Sequence, residues 1–262
     1  MFNTAQSAIR SAGDVLMKHF GAIQQEHIDS KQAFDFVTFA DREAERILIE
    51  QLHAVFPDHS FYAEESQRAP AGGYRWIIDP LDGTTNYVHG VPHFAISVAL
   101  EREGEIILGL IYDPTRDEMF RAEIGRGAFL NDAPISVSSI SDPAVSLLAT
   151  GFPFKQKQNL DAYLASFQAL FQQVSGIRRI GSAALDLAYV ACGRFEGYWE
   201  LGLSPWDVAA GSLLVQEAGG RISDFSGGAQ AVWHGNVVAS NGALHAMMLQ
   251  VTRDILLPGL KS

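Results

Sequence analysis

An apolar strand that runs directly into two carboxylates constrains this chain more than any other segment. Residues 76–86 read Trp76-Ile77-Ile78-Asp79-Pro80-Leu81-Asp82-Gly83-Thr84-Thr85-Asn86. The apolar run predicts a buried strand, and Pro80 and Gly83 predict a tight turn at its end. Asp79 and Asp82 then sit three residues apart across that turn, where both can face one point. Paired oxygen ligands suit a hard cation such as Mg²⁺ rather than zinc. The amides of Gly83 and Thr84 follow where a helix can begin, a place where amides hold phosphate. A loop able to take both a cation and a phosphate points to phosphate-ester chemistry.

The remainder of the chain has the material to bury such a site. Its 262 residues are 47% apolar and 19% charged, enough for one large domain or two interlocked halves. A net charge of −11 argues against a nucleic-acid partner held by a broad basic surface. It fits an acidic site partly neutralised by cations. The single cysteine, Cys192, rules out an intrachain disulfide and makes a cytoplasmic location the default. Lying in an apolar helical stretch, Cys192 reads as core rather than nucleophile. No run reaches the roughly 18 apolar residues of a membrane span. The N-terminus lacks a signal peptide's basic start and long apolar run.

Periodicity predicts helices over residues 3–20 and from Asp41 to about Phe56, with a polar loop between them to about Phe36. Strands are expected at 61–63 and 74–78, and a hairpin at 94–101 and 105–112 around Arg102-Glu103-Gly104. A second hairpin is expected at 119–123 and 128–130. The serine-rich stretch 136–144 is the expected boundary between an N-terminal half, 1–140, and a C-terminal half, 141–262. Beyond it lie an expected strand at 146–150, helices over 160–174 and 182–193, and a strand at 195–201. Ser204 reads as an N-cap with Pro205 at the first helical position, and Gly219-Gly220 as the stop. Short strands at 221–225 and 236–239 precede a last helix at 243–255. Helices and strands mix in both halves, which predicts an α+β or layered α/β fold.

Four regions place acids where local structure alone does not require them. Asp41 opens a helix, where a plain N-cap is the competing reading. Glu64-Glu65-Ser66 follows an apolar strand, where a solvated strand end competes. Asp79 and Asp82 carry the strongest signal. Asp207 lies in the first turn of a helix, which the helix dipole alone would favour, but Val208, Ala209 and Ala210 beside it are apolar. Brought together, Glu64, Asp79, Asp82 and Asp207 would repel one another unless two or three divalent ions lay among them. Such multi-metal sites suit in-line displacement at phosphorus.

These segments resemble the inositol monophosphatase family, the Mg²⁺-dependent, Li⁺-sensitive phosphatases, and its bacterial branch in particular. The resemblance spans nearly the whole chain. Its carriers are residues 35–41, Glu64-Glu65-Ser66, residues 76–86, Gly181-Ser182-Ala183-Ala184-Leu185-Asp186 and residues 206–220. Ala149-Thr150-Gly151-Phe152-Pro153-Phe154 and Gly202-Leu203-Ser204-Pro205-Trp206-Asp207 add weight. The resemblance implies a layered α/β sandwich of the sugar-phosphatase type, assembled as a homodimer. It implies two to three Mg²⁺ ions held by Glu64, Asp79, the Leu81 carbonyl, Asp82 and Asp207. Thr84, backed by Asp41, would orient the attacking water with Glu64 as a further catalytic group, and the Gly83 and Thr84 amides would hold the phosphate. Asp82, Gly181, Ser182, Ala183 and Glu200 would contact the substrate. One departure is Lys31, whose spacing to Asp35 is one residue shorter than in the animal enzymes. His89 and His93 read as loop or rim residues.

The implied reaction is hydrolysis of a small phosphomonoester, with myo-inositol 1-phosphate leading, by an activated water and without a covalent intermediate. Relatives acting on fructose 1,6-bisphosphate, histidinol phosphate or 3′-phosphoadenosine nucleotides share the metal loop. Some bacterial relatives are also partners of the transcription machinery, which sets a regulatory role beside the enzymatic ones. The loop at residues 30–34 is expected to be mobile, being polar and lying between two helices.

Overall fold

The computed structural model describes residues 1–22, 28–32, 35–66 and 72–261, with backbone alone for 28–32 and 35–37. In chain order the elements are α1 (Phe2–His19), β1 (Ile28–Gln32), β2 (Asp35–Thr38), α2 (Phe39–Val55), β3 (Ser60–Ala63), β4 (Tyr74–Asp82), α3 (Thr84–Val88), β5 (Ala95–Arg102), β6 (Glu105–Asp113), β7 (Glu118–Glu123), β8 (Ala128–Leu130) and β9 (Ala133–Ile135). There follow β10 (Leu147–Thr150), α4 (Leu160–Phe171), β11 (Gly176–Arg178), α5 (Ala183–Ala191), β12 (Gly197–Glu200), α6 (Pro205–Glu217), β13 (Arg221–Ser223), α7 (Ala231–His234), β14 (Val237–Ser240) and α8 (His245–Val251).

Two sheets and three helix layers alternate. The seven-stranded sheet runs β3-β4-β5-β6-β7-β8-β9, and the five-stranded sheet runs β11-β10-β12-β14-β13. Helices α1 and α2 pack together on the outer face of the larger sheet, α5 and α6 lie between the sheets, and α4 and α8 cover the far side of the smaller one. The period-2 alternation of β5 decides which layer sees which side chain. Ile96, Val98 and Leu100 enter the core under α1 and α2, while the smaller Ala95 and Ala99 face α5 and α6. Small residues there allow close approach. A Cβ on Gly109 would lie 2.7 Å from the Ala210 carbonyl oxygen, so α6 rests almost directly on β6.

Several elements depart from their expected form. The polar stretch leading to Phe36 is, in its described backbone, an antiparallel hairpin of β1 and β2. Its polar composition hides strand character because β-propensity follows context more than residue type. Residues 33–34, within the segment expected to be mobile, lie outside the described residues. Helix α2 starts two residues before Asp41, with Thr38 as its N-cap. The 103–104 turn has φ of 52° at Glu103 and 91° at Gly104, the left-handed pair that matches hairpin twist. Helix α8 gives way to a π-helical stretch at Thr252–Leu256, which runs into a short helical turn at Leu257–Gly259. Strands β9 and β11 and the short α3 and α7 carry too few residues for periodicity to register.

Candidate active site

The segment expected to be a tight turn is instead the bulged end of β4. Asp79 pairs with Ser97 and Asp82 with Ala95, so three steps on β4 match two on β5. In a regular strand residues i and i+3 point to opposite faces, and one extra residue brings them to the same side. Pro80 is tolerated here because the bulge asks no ladder donation of it. Gly83 then takes φ 93° and caps α3. A Cβ at Gly83 would lie 3.1 Å from the His93 oxygen and 3.2 Å from the Gly181 oxygen, so glycine lets the segments around His93 and Gly181 close together here. Asn86 fastens that junction by donating from Nδ2 to the carbonyls of His93 (2.8 Å) and Ile180 (2.9 Å).

Oxygen atoms of Asp79, Asp82 and Asp207 all lie within 4.8 Å of one another. Each acid gives one oxygen to a backbone amide. Asp79 Oδ1 accepts from Leu81 N (2.9 Å), and Asp207 Oδ2 accepts from Ser204 N (2.7 Å). Asp82 Oδ2 accepts from Ala184 N (2.7 Å) and the Ser182 hydroxyl (2.6 Å) at the start of α5. Ser182, expected to touch substrate, is therefore a 1% exposed donor behind Asp82, and its hydroxyl also receives the Leu185 amide. Glu64 extends the β3 ladder, its amide donating to the Ile78 carbonyl, which brings it beside Asp79. Buried Glu45 of α2 pins the next two residues by accepting from Glu65 N and the Ser66 hydroxyl.

Thr84 and Asp41 meet beside this group. The Thr84 hydroxyl lies 2.9 Å from the Leu81 carbonyl oxygen and 3.5 Å from Asp41 Oδ1. Asp41 is not the N-cap of α2. It is the third helical residue, whose Oδ2 accepts from the Thr38 amide (2.9 Å) and hydroxyl, closing a capping box. Side chains of Lys31 and Asp35 lie outside the described residues.

A cavity of about 320 Å³ opens over the acids. Glu64, Asp79, Leu81, Asp82, Gly83, Thr84, Gly181, Ala183, Glu200 and Asp207, all named from the sequence, line it. Gly151, Phe154, Lys155 and Arg179 also line it and were not singled out as site residues. Phe154 and Gly151 had stood only inside a resemblance motif, and a lone Lys or Arg in a polar loop gives no sequence signal. Phe154, 38% exposed, gives the lining an apolar face. His93 is buried with its ring by Tyr189, away from the lining. Cys192 packs against the core between the sheets, and burial pushes its thiol pKa up.

Electrostatics follow from this crowding. Burial, then repulsion from Glu64, Asp82 and Asp207, drives the Asp79 pKa well above the carboxylate range. Asp207 is raised likewise by burial and by Asp82 and Glu64. Burial lifts Asp82 to about 6, opposed by its bonds to Ser182 and Ala184. Glu200 reaches about 7 through burial, opposed by the Tyr198 hydroxyl and Arg179. Acids that resist ionisation together, with carboxylate oxygens converging and no nitrogen or sulfur donor in the trio, form a donor set that fits a hard divalent cation.

A family profile of the inositol monophosphatases matches residues 1–257. The chain is 45% identical to a protein of Pseudomonas aeruginosa named Nus factor SuhB, over 100% of this chain and 98% of that one. It is 45% identical to the inositol-1-monophosphatase of Rhizobium meliloti, over 92% of this chain and 91% of that protein. The crystal structure of extragenic suppressor protein suhB from Bartonella henselae superposes with a TM-score of 0.92 at 41% identity, covering 96% of this chain and 98% of that one. Among the described residues no helix is long and apolar enough to cross a membrane. With the match running from the first helix almost to the last residue, the chain belongs to the inositol monophosphatase family.

Proposed function

We propose that this protein hydrolyses a small phosphomonoester, myo-inositol 1-phosphate first among them, with two to three Mg²⁺ ions held by Glu64, Asp79, the Leu81 carbonyl, Asp82 and Asp207. The observation that carries the reading is the convergence of three carboxylates within 4.8 Å on a cavity sized for a small ligand. Bound Mg²⁺ would supply charge neutralisation for the phosphate and leaving alkoxide and ease deprotonation of the nucleophilic water. The protein's own groups do the rest. Thr84 Oγ, placed between Leu81 and Asp41, accepts a hydrogen bond from the attacking water and turns its own proton toward Asp41 Oδ1. Thr38 holds Asp41 in position for that exchange, and Glu64 aids the same water. The free amides of Gly83 and Thr84 at the start of α3 receive phosphate oxygens. Asp82, Gly181, Ala183 and Glu200 face the alcohol, with Ser182 acting through Asp82.

The test is phosphate release from inositol 1-phosphate with Mg²⁺, with EDTA and with Li⁺. Activity that ignores EDTA removes the metal reading. A panel of inositol 1-phosphate, fructose 1,6-bisphosphate, histidinol phosphate and 3′-phosphoadenosine nucleotides ranks the alcohols, the exposed Phe154 favouring some tolerance for an apolar group. A homodimer is part of the proposal, supported by the outward apolar stripe of Leu160, Leu164 and Phe171 on α4. Light scattering that returns a monomer mass overturns it.

The name of the Pseudomonas relative favours a second role, as a partner of the transcription machinery in the cytoplasm. Affinity capture from cell extract that recovers no RNA polymerase or elongation factor counts against it. The two roles do not compete, since catalysis uses the cavity and a partner would use the outer surface.

A further inference from the structure

Glu200 occupies a place that the backbone of its neighbour makes available. Strands β10 and β12 run parallel with Thr150 opposite Trp199, which carries Gly151 alongside Glu200. A Cβ on Gly151 would stand 2.0 Å from Glu200 Cδ and from both carboxylate oxygens. No side chain larger than hydrogen fits there unless Glu200 leaves. On the other side Tyr198, two residues earlier and so on the same face of β12, donates its hydroxyl to Glu200 Oε2 at 2.5 Å. Tyr198 is fully buried and Glu200 is 8% exposed on the cavity wall. One carboxylate oxygen is thereby fixed from beneath, and the other is left for whatever fills the cavity.

We propose that Gly151 and Tyr198 are positioning residues that hold Glu200 as a hydrogen-bond acceptor for a substrate hydroxyl, and that this pair sets the preference for polyol phosphates over phosphates of hydroxyl-free alcohols. The proposal rests on the phosphatase reading above and sharpens it to a substrate feature. Tyr198 does not line the cavity, and Gly151 lines it without a side chain. Gly151 acts by absence of volume, and Tyr198 by fixing which oxygen is free. A hydroxyl aimed at a fixed, desolvated acceptor gains a charge-assisted bond, whereas an apolar ring at the same place leaves that acceptor unpaired.

The experiment compares myo-inositol 1-phosphate with cyclohexyl phosphate, a ring of the same size without hydroxyls, as substrates of the full-length protein with Mg²⁺. Wild type, Tyr198→Phe, Gly151→Ala, Glu200→Gln and Tyr198→Phe/Glu200→Gln are measured, with thermal melting as a check of folding. The expected result is a drop of about tenfold in the kcat/KM ratio of polyol to cyclohexyl ester in each single variant, most of it in KM for the polyol. The double variant should show no further loss, because Tyr198 acts only through Glu200. Ratios within about twofold of wild type in the folded Tyr198→Phe and Gly151→Ala proteins overturn the proposal, as does a double variant whose losses multiply. Should Gly151→Ala not fold, Tyr198→Phe and the double variant decide alone. Failure of wild type to release phosphate from either ester instead defeats the phosphatase reading itself.

Discussion

Helices α2 and α6 begin in the same way and serve different chemistry. Each starts from a hydroxyl residue, Thr38 or Ser204, with an aspartate three residues later whose Oδ2 accepts from the cap residue's own amide. In α6 a carboxylate oxygen of Asp207 joins those of Asp79 and Asp82 within 4.8 Å. In α2 the other oxygen of Asp41 faces the Thr84 hydroxyl and stands outside that trio. One local device thus orients two acids, and the layer each helix packs in decides what the oriented acid does. Helix α6 lies between the sheets with its start tied to β5 by the Ser97 hydroxyl, which donates to the Trp206 carbonyl at 3.0 Å. Helix α2 lies on the outer face and approaches from the side of the Thr84 turn.

The comparison predicts unequal losses. Asp207→Asn keeps an acceptor for the Ser204 amide but removes charge from the trio, so kcat should fall about 10³-fold. Asp41→Asn keeps its cap and weakens only the proton path through Thr84, for a loss of about 10²-fold. Mg²⁺ titrations of the steady-state rate separate them, since only Asp207→Asn should raise the Mg²⁺ requirement. Equal losses with equal Mg²⁺ dependence would erase the distinction.

Melting temperature offers a version that needs no substrate. Mg²⁺ at about 100 times its Kd adds about 2.7 kcal/mol to the folded state. That corresponds to roughly 5 °C for a chain of this length. Wild type and Asp41→Asn should show the shift, and Asp207→Asn should lose most of it.

The same increment should depend on pH. Burial and mutual repulsion raise Asp79, Asp82 and Asp207, with Asp82 at about 6. A carboxyl whose folded pKa lies above its unfolded value favours folding below the unfolded pKa, and that contribution is lost as pH rises through the folded one. In the metal-free protein the strain from Asp82 is therefore complete above about pH 6, and a divalent ion relieves it. The stabilisation by Mg²⁺ should be largest at pH 7–8 and shrink as pH falls through about 6, where protons compete for the oxygens. An increment that is flat from pH 8 to 5 would place the ion elsewhere.

The smallest expected effect concerns the cap itself. Thr38→Ala removes the acceptor of the Ala40 amide and a donor to Asp41, and should cost about 1 kcal/mol of stability by denaturant melts. Its effect on kcat should be smaller than that of Asp41→Asn, since the Thr38 amide still holds Oδ2.

Much of the site was readable because its acids sit in strongly patterned surroundings. Asp79 and Asp82 end an apolar strand, and Asp207 follows Ser204-Pro205 at a helix start. The bulge in β4 was not readable as such, since a Pro between two aspartates reads equally as a turn. Its existence depends on the register with β5, which is a property of the pair. The β1–β2 hairpin escaped for the same reason. Arg179 and Lys155 reach the cavity through packing of segments far from the acids in sequence.

What the chain determined by itself is local: the alternation that builds the strands, the hydroxyl-to-aspartate spacing that orients Asp41 and Asp207, the glycine that permits φ 93° at Gly83. These interactions span three or four residues and are written in residue type. Only the tertiary structure decided which acids converge, that the Ser182 hydroxyl backs Asp82, and that Gly151 leaves room for Glu200. Those outcomes depend on strand register and helix placement, where contacts form between residues some 50 to 100 positions apart. No local preference encodes such contacts, because each is fixed by how the sheets and helices pack together.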